Sequence, residues 1–343
     1  MKNLAFLLLS LFTFAQTLKV SSGRIIEYKN FKSENIGERT VRIWLPENYN
    51  PKVKHQVLYA NDGQMLWDET ITWNKQEWKL DENLGELIRE KKIKPTIVVA
   101  IDNADKNRHS EYFPQKPFES LSQKKQDSLY NLFRSKDQSL FKGKIYSDEY
   151  LKFLVKELKP FVDKNYSTYT DAPHTFIMGS SMGGLISMYA ICEYPEVFGG
   201  AICMSTHWPG IFASENNPIP LAFQNYLKAN LPNPKTHKIY FDFGTESLDK
   251  LYEPYQMKLN YILVVSTFSF LLFGFDKRIA TRGGYRISEF VLLLVSFLGG
   301  SVGSLLGMLI FRHKISKTSF KIKFGLIFLV QILIIFYYLK SNY

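Results

Sequence analysis

One serine in the middle of the chain has the surroundings of a catalytic nucleophile. Ser181 lies in residues 179–183, which read Gly-Ser-Ser-Met-Gly and so have the pattern Gly-x-Ser-x-Gly. The apolar residues before this stretch predict a strand, and those from Met182 onward predict a helix. A serine on a tight turn between a strand and a helix has its hydroxyl oxygen exposed at the edge of a sheet. We therefore predict that Ser181 is a nucleophile.

The elements that must position this serine alternate between strands and helices. Strands are predicted at 18–28, 39–45, 55–61, 96–101, 174–178, 199–204 and 238–243, and the clearest helices at 80–90 and 147–164. The first two strands alternate apolar and polar residues, which is typical of antiparallel strands, and the later ones are continuously apolar, as buried parallel strands are. This alternation predicts a doubly wound α/β sheet.

Two loops at the ends of predicted strands supply further candidate residues. The backbone amides near Gln64 and Met65, after the third strand, are predicted to bind an oxyanion together with the amide of Met182. The loop after the last predicted strand carries Asp249, the first candidate for the acid of a catalytic triad, and Glu246, the second.

Several stretches together resemble the Putative esterase family of α/β-hydrolases, which includes enterochelin, feruloyl and acetylxylan esterases and S-formylglutathione hydrolases. The matching stretches are 59–64 (Tyr-Ala-Asn-Asp-Gly-Gln), 108 with 111–114 (Arg, then Glu-Tyr-Phe-Pro), 179–184 and 244–249, within a resemblance that covers residues 20–256. The resemblance implies that Ser181 is the nucleophile, that Asp249 is the acid, and that carboxylic esters are hydrolysed through an acyl-enzyme. The residues expected to line the substrate pocket are Arg108, Glu111, Tyr112 and Trp208.

The histidine of the family pattern is missing from its expected place. The pattern continues past the acid with a helix, a strand, a loop that carries the catalytic histidine and a closing helix, whereas here an apolar run begins at Leu259. A serine needs an adjacent base to attack an ester, so we expect impaired activity in this truncated hydrolase. His207, after the strand that follows the nucleophile helix, is either a substitute base or a pocket residue. The missing edge strand is also expected to leave an unpaired sheet edge.

The last part of the chain has the composition of a membrane module. Three runs without charges, 259–275, 290–311 and 324–339, approach the ~17–25 residues that a transmembrane helix needs. Residues 258–340 resemble the membrane family called domain of unknown function 1294, which brings no activity with it. From residue 257 onward there are 11 Lys and Arg but 2 Asp and Glu, so the expected polyanion is a lipid surface rather than nucleic acid.

The basic residues of this module pose a question of topology. Both loops between the apolar runs are basic, whereas three simple spans would place these loops on opposite sides of the membrane, against the positive-inside rule. One alternative is that the run 290–311 turns back at Gly299 and Gly300 as a re-entrant hairpin, which would place both loops in the cytoplasm.

The first residues predict export. Residues 1–15 contain Lys2, an apolar run and small residues before Gln16, which is the form of a signal peptide. Cys192 and Cys203 lie in apolar contexts and are expected to be free thiols. No metal-ligand spacing, cofactor motif or nucleic-acid motif is found. The expected partners are a small-molecule or carbohydrate ester and the lipid bilayer.

Together these features predict an exported, membrane-tethered ester hydrolase. Its hydrolase domain, residues 18–256, is expected on the periplasmic or extracellular side, followed by an all-α transmembrane module at 257–343. The substrate class expected from the resemblance is an ester of a carbohydrate or siderophore. The alternative is a non-catalytic integral membrane protein that carries a vestigial hydrolase domain. Whether the junction is a selected fusion or a chance joining of two reading frames stays open.

Overall fold

The computed structural model describes residues 18–212, 217–246, 249, 253–283 and 285–341. These residues form two compact units that divide between residues 252 and 253. The predicted signal peptide, residues 1–15, lies outside the described residues. Each unit is described by itself below.

The first unit is built on a seven-stranded, mostly parallel sheet. Its strands, with a separate two-stranded ribbon formed by β5 and β6, are β1 (Arg24–Phe31), β2 (Arg39–Leu45), β3 (Gln56–Asn61), β4 (Thr96–Ile101), β5 (Phe133–Ser135), β6 (Gln138–Ser139), β7 (Thr175–Ser180), β8 (Gly200–Met204) and β9 (Lys238–Phe241). The spatial order in the large sheet is β1-β2-β4-β3-β7-β8-β9. Strand β2 is antiparallel to both neighbours, and every pair from β4 to β9 is parallel. The prediction of a doubly wound α/β sheet is confirmed at this level.

Helices cover both faces of this sheet. They are α1 (Leu80–Arg89), α2 (Arg108–Tyr112), α3 (Gln115–Glu119), α4 (Gln123–Tyr130), α5 (Ser147–Lys152), α6 (Lys159–Asn165), α7 (Met182–Glu193) and α8 (Ile219–Asn230), with a π-helical stretch at Phe153–Leu158 that joins α5 to α6. Leu58 and Ala60 of β3 pack with Leu84 of α1 on one face. On the other face, Asn61 donates to Ser187 of α7 and accepts a hydrogen bond from Tyr150 of α5. The alternation along β3 therefore fixes a helix layer on each side.

The edge formed by β9 is the part of the sheet where the family pattern was expected to continue. Among the described residues, β9 is the last strand of the sheet and pairs with β8 alone. Tyr240 of this strand is 55% exposed. An apolar residue on an unpaired edge strand favours aggregation, so this edge is a liability of the first unit.

The second unit consists of helices, and its middle part folds back on itself as a hairpin. The helices are α9 (Glu253–Arg282), α10 (Glu289–Val295), α11 (Ser301–Ile310) and α12 (Thr318–Ser341). Between α10 and α11, the π-helical turn Ser296–Gly300 contains Gly299 with φ 108°. That backbone angle favours glycine, because a side chain there would clash with its own backbone.

The residues flanking α10 and α11 show that the two form a hairpin. Among the described residues, Glu289–Ile310 is the one helix long and apolar enough to cross a membrane. A straight helix of that length would hold its ends about 33 Å apart. Instead, Lys314 donates to Glu289 over 2.9 Å, and Leu292 packs in the same apolar cluster as Met308. Both ends of the hairpin therefore lie at the same end of the unit, as in the re-entrant alternative considered from the sequence.

Close glycine contacts hold this hairpin against α9. A Cβ built on Gly303 would lie 1.8 Å from the carbonyl oxygen of Ser266, and one on Gly307 would lie 2.7 Å from the Phe273 side chain. Gly303 and Gly307 are spaced as Gly-x-x-x-Gly, the arrangement that lets helix backbones approach closely in membranes. Since residue numbers rise together along the contact, α9 and α11 run in parallel.

The second unit buries hydroxyl groups and exposes apolar side chains. Ser304 hydrogen-bonds Ser269 and Ser296 in the interior, and Ser301 donates to the Gln331 side chain. The exposed large apolar residues on its four helices and the hairpin turn include Val264, Phe268, Leu271, Phe275, Phe290, Leu294, Phe297, Leu298, Leu305, Leu309, Leu326 and Leu333. An apolar cluster that includes Phe273, Leu292 and Phe320 is buried as well, so the unit carries apolar side chains both inside and outside.

Candidate active site

Ser181 occupies a strained turn between β7 and α7. Strand β7 ends at Ser180, helix α7 begins at Met182, and Ser181 between them has φ 59° and ψ −116°. A non-glycine residue at positive φ costs free energy, which the surrounding structure must offset. Part of the support is a hydrogen bond from the Ser181 amide to the Met204 carbonyl, 2.9 Å long. The predicted nucleophile elbow is present in the backbone.

The glycines of the motif are required by close backbone approach. A Cβ on Gly179 would lie 2.5 Å from the carbonyl carbon of Gly183. Real Cβ atoms do not approach other atoms so closely, so a larger residue at position 179 would push β7 away from α7. A Cβ on Gly184, the residue after the motif, would lie 2.9 Å from Oγ1 of Thr206 in the loop after β8. The glycines therefore let β7 turn into α7 over a single residue.

The predicted oxyanion donors differ in their availability. Met182 is the first residue of α7, so its amide has no acceptor within the helix and remains a candidate. The Met65 amide, in contrast, donates to the Asp62 carbonyl over 2.9 Å and closes a tight turn. The expectation that Met65 contributes an oxyanion donor is thereby corrected, because a donor committed to the turn does not serve an anion. The Gln64 side chain accepts from the Asn103 amide over 3.2 Å, and the backbone amide of Gln64 remains a candidate.

The turn after β3 is fixed beside the nucleophile helix by an ion pair. Arg108 donates from Nε and Nη2 to the two carboxylate oxygens of Asp62, over 2.6 and 2.8 Å. Asp62 has φ 59°, and its carboxylate would lie 3.0 Å from a Cβ on Gly183. Burial opposes the charge on Arg108, but Asp62 outweighs that effect and raises the pKa of the guanidinium. A bidentate pair of this kind holds the turn against α7.

Arg108, expected in the substrate pocket, is partly exposed and faces the elbow. Its side chain is 26% exposed, and Nη2 lies 3.4 Å from the Ser180 carbonyl oxygen. Its guanidinium stacks over the ring of Tyr112, 5.1 Å from the ring centroid. Arg108 is thus near enough to Ser181 to contact a bound substrate, although Asp62 already occupies two of its donors.

The other three expected pocket residues are buried. Glu111 is 1% exposed and accepts two hydrogen bonds from Arg39 of β2, each 2.9 Å long. Tyr112 is fully buried beneath Arg108, and Trp208 is 1% exposed and packs against the Phe241 ring at 5.4 Å. In this structure Glu111 and Tyr112 support Arg108 and the sheet from below rather than forming a pocket wall. This corrects the expectation that they line the pocket.

The candidate acid lies at the same edge of the sheet as Ser181. Asp249 accepts hydrogen bonds from the hydroxyl of Ser205 over 2.9 Å and from the amide of Gly244 over 2.7 Å. Ser205 directly follows Met204, whose carbonyl accepts from the Ser181 amide. Glu246, the second choice, contributes its carbonyl to the amide of Asp249 over 3.2 Å. Ser181 follows β7 and Asp249 follows β9, with β8 between these two strands, and the contact of Asp249 with Ser205, which follows β8, is one that the sequence did not suggest.

His207 and His109 lie beside the elbow. The His207 amide donates to the carbonyl of Ser181 over 3.2 Å. Burial, with a smaller effect of Arg108, lowers the pKa of His207 to about 4. Burial and then the neighbouring His207 lower the pKa of His109 to about 3. Both imidazoles are therefore neutral at pH 7, the state in which a histidine can accept a proton.

The remaining four histidines are committed elsewhere. His55 packs against Tyr49, His174 pairs with Asp171, His237 bonds the Pro195 carbonyl, and His313 pairs with Asp276 within the second unit. Since the chain has 6 histidines, His207 and His109 are the candidates for a base near Ser181. No group of three or more metal-binding side chains occurs among the described residues.

A strained serine elbow, a neighbouring turn and an acid loop, all on a mostly parallel sheet, define an α/β-hydrolase. The family described as Putative esterase matches residues 33–259, so the chain belongs to the Putative esterase family. Residues 266–320 match the DUF1294 family, which is described as a protein of unknown function.

Curated relatives match parts of the chain. The endo-1,4-beta-xylanase/feruloyl esterase of Xylanibacter ruminicola is 30% identical over 192 residues, 54% of this chain and 22% of that protein. The uncharacterized protein YjcH of Bacillus subtilis is 26% identical over 187 residues, 54% of this chain and 63% of YjcH. The chain thus spans less than two thirds of the length of either relative. The uncharacterized protein YsdA of Bacillus subtilis is 39% identical over 79 residues, 23% of this chain and 89% of YsdA.

Solved structures with a similar fold include esterases. The enterobactin esterase FES from Shigella flexneri is 18% identical with a TM-score of 0.46, covering 71% of this chain and 51% of that one. The feruloyl esterase module from Clostridium thermocellum is 18% identical with a TM-score of 0.43, covering 69% of this chain and 72% of that one.

Proposed function

We propose that the first unit is a serine ester hydrolase by descent whose turnover is strongly impaired. The observation that carries this proposal is the strained Ser181 at φ 59° between β7 and α7. In the reaction, the Ser181 oxygen attacks the ester carbonyl, and the amides of Met182 and Gln64 bind the resulting oxyanion. The alcohol leaves, and water then releases the acid from the acyl-enzyme.

The impairment follows from the missing base. In a complete triad, a histidine between the acid and the serine removes the serine proton and later protonates the leaving group. Here the carboxylate of Asp249 bonds Ser205 and Gly244 instead. Removing one member of a triad typically lowers kcat by roughly 10⁴-fold or more, with residual catalysis from the oxyanion hole and substrate binding.

His207 is the best placed substitute for this base. Its backbone is hydrogen-bonded to Ser181, and its imidazole is neutral at pH 7. However, a pKa near 4 makes it a weak base, because a general base is most effective when its pKa lies near the operating pH. We expect His207 to support slow turnover only.

The substrate class is proposed from the relatives. A feruloyl esterase and an enterobactin esterase carry names that point to esters of plant cell-wall phenolics and of a siderophore. For this chain we propose a small-molecule or carbohydrate ester of that kind. No cofactor enters the proposed reaction.

The second unit is proposed to anchor the chain in a membrane. Its apolar outer surface and buried serines suit a lipid solvent, in which polar groups must find partners inside the protein. Gln331 of α12 donates to the Ser296 carbonyl near the turn of the hairpin, so α12 runs from the basic loops toward that turn. With the basic loops in the cytoplasm, the start of α9 and the end of α12 both lie on the outer side, together with the exported hydrolase unit.

A non-catalytic membrane protein is the second candidate. It is favoured by the match of residues 266–320 to a family described as a protein of unknown function, because this part of the chain then has relatives to which no hydrolase activity is assigned. In that case the apolar module is the working part, and the first unit is vestigial.

Hydrolysis of methyl ferulate and p-nitrophenyl acetate by the purified full chain separates these candidates. The proposal predicts slow hydrolysis that Ser181→Ala abolishes and that His207→Gln reduces further. Lys136→Gln, which changes an exposed residue of the first unit, serves as the matched control. Hydrolysis that is unchanged in Ser181→Ala, or absent from the folded wild type, would favour the non-catalytic alternative.

A further inference from the structure

Two loops that are distant in sequence form one end of the second unit. Asp276, near the end of α9, accepts from Nε2 of His313 over 2.6 Å and from the amide of Ile287 over 2.9 Å. Glu289 accepts from Lys314 over 2.9 Å and from Lys317 over 2.7 Å. These contacts join the loop after α9 to the loop after α11. All of the basic residues in both loops therefore gather at one end.

The acidic residues of this region already have basic partners in those contacts. From residue 257 onward, Asp276 and Glu289 are the only two acidic residues in the sequence. Asp276 is fully buried under His313, and Glu289 holds two lysines. The positive charge that remains at this end has no internal counterion of comparable size.

Four further cations lie at this end of the second unit, and we call the surface that these four form the basic end. Arg278 and Arg282 occupy the last turns of α9, and Lys321 and Lys323 occupy the first turns of α12. All four are exposed, and among the described residues no ion pair joins them to an acid. Because α9 and α12 meet the two loops here, these side chains lie at the same end of the unit as the Asp276–His313 pair.

The basic end adjoins apolar surface, as a membrane interface does. Phe275 and Phe290, on either side of the first loop, are 59% and 72% exposed, and Tyr285 within that loop is fully exposed. Aromatic rings and cations at this level are typical of the headgroup region of a bilayer. A soluble polyanion would not contact the apolar residues beside the basic end.

We propose that the basic end binds the head groups of anionic phospholipids such as phosphatidylglycerol. This inference rests on the proposed anchoring of the second unit in a membrane. Each Lys or Arg near a membrane surface is attracted to anionic lipid, so four together favour anionic over neutral lipid. The attraction falls as salt screens it.

The test reconstitutes the full chain in vesicles of equal phosphatidylglycerol and phosphatidylcholine. Flotation after a high-salt wash first reports whether the chain is embedded. The chain is then extracted in neutral detergent, and the ratio of the two lipids that co-purify is measured at low and high salt. The variant replaces the four cations of the basic end by Gln: Arg278→Gln, Arg282→Gln, Lys321→Gln and Lys323→Gln. The control makes the same change in charge on exposed residues of the first unit: Arg24→Gln, Arg134→Gln, Lys91→Gln and Lys136→Gln.

The expected result is an enrichment of phosphatidylglycerol of about five-fold or more in wild type and control, falling to near unity in the variant and at high salt. A double variant, Lys321→Gln with Lys323→Gln, should give an intermediate ratio, which guards against misfolding of the four-fold variant. Equal enrichment in wild type and variant, or none in an embedded wild type, would overturn the headgroup site alone. Failure of the chain to float would overturn the membrane anchoring as well.

Discussion

The two units differ in the side chains that they place on their surfaces. In the first unit, Trp44, Trp67 and their apolar neighbours fill the core between sheet and helices. In the second unit, the fully buried side chains include Ser296 and Ser304 as well as Phe273, Leu292 and Phe320, while many other phenylalanines and leucines are exposed. The two units therefore share an apolar interior and differ in how much apolar surface they leave exposed.

The comparison teaches which interactions hold each unit together. Burial of apolar area in water stabilises the first unit, whereas helices in lipid gain little from apolar burial and depend on close packing and internal hydrogen bonds. Both units nonetheless bury a polar pair that joins distant segments, the Arg39–Glu111 ion pair in the first and the His313–Asp276 hydrogen bond in the second. Each unit therefore has a buried polar pair, although the two units expose different kinds of side chain.

The largest expected effect comes from breaking the buried ion pair of the first unit. Glu111→Gln leaves the guanidinium of Arg39, 3% exposed, without its counterion, and should lower the free energy of unfolding by about 3–5 kcal/mol. All 5 tryptophans lie in the first unit, so tryptophan fluorescence during urea unfolding reports this unit alone.

The control for this experiment is an exposed pair in the same unit. Glu90→Gln removes the partner of Lys92, 65% exposed, and should change stability by less than about 1 kcal/mol. Equal losses in Glu111→Gln and Glu90→Gln would show that burial of the first pair does not matter.

A smaller effect is expected from a single methyl group in the second unit. Gly303→Ala places a Cβ 1.8 Å from the Ser266 carbonyl oxygen, so α11 must move away from α9, at a cost of about 1–3 kcal/mol. Gly325→Ala in α12 is the matched control, because nothing lies within 4 Å of its Cβ. The measurement is thermal unfolding of the full chain in detergent, followed by circular dichroism and tryptophan fluorescence. A loss of helical circular dichroism without a change in tryptophan fluorescence reports unfolding of the second unit. A Gly303→Ala variant as stable as Gly325→Ala would contradict the close packing of α9 and α11.

The sequence predicted local structure better than long-range partners. The elbow and the strands follow from local patterns, because glycine spacing and apolar runs act within a few residues. The turn at Gly299 was one alternative considered because both loops beside it are basic. Arg39–Glu111 and Asp276–His313 join residues far apart in the chain, so their pairing depends on tertiary register that a local pattern does not carry. For this reason Glu111 was assigned to the pocket.

Two local details also escaped prediction because side chains and turns compete for the same backbone groups. The first strand was predicted from residue 18 but begins at Arg24, since the Ser21 amide donates to the Asp81 carboxylate instead of a strand partner. The Met65 amide was expected to face an oxyanion but closes the turn to Asp62. Both outcomes depend on acceptors that an apolar pattern does not reveal.

The smallest effect expected is a change in pH dependence at the elbow. His207 has a folded pKa of about 4, below the ordinary value of 6.5, so the unfolded state binds more protons between these values. Its contribution is therefore present above pH 6.5 and lost as pH falls toward 4, by roughly 1–2 kcal/mol for this partly exposed imidazole. His207→Gln should flatten this part of the urea stability profile, and an unchanged slope would contradict the burial of a neutral imidazole beside Arg108.

The most direct test of the proposed hydrolase is covalent labelling of the full chain with a fluorophosphonate probe at neutral pH. A serine hydrolase with a complete triad serves as positive control, and Ser181→Ala identifies the labelled residue. If the elbow is intact but lacks its base, we expect slow labelling of Ser181, at a rate about 10⁴-fold below that of the control hydrolase and lower still in His207→Gln. Rapid, complete labelling of Ser181 that does not depend on His207 would contradict it, because another group would then be activating the serine.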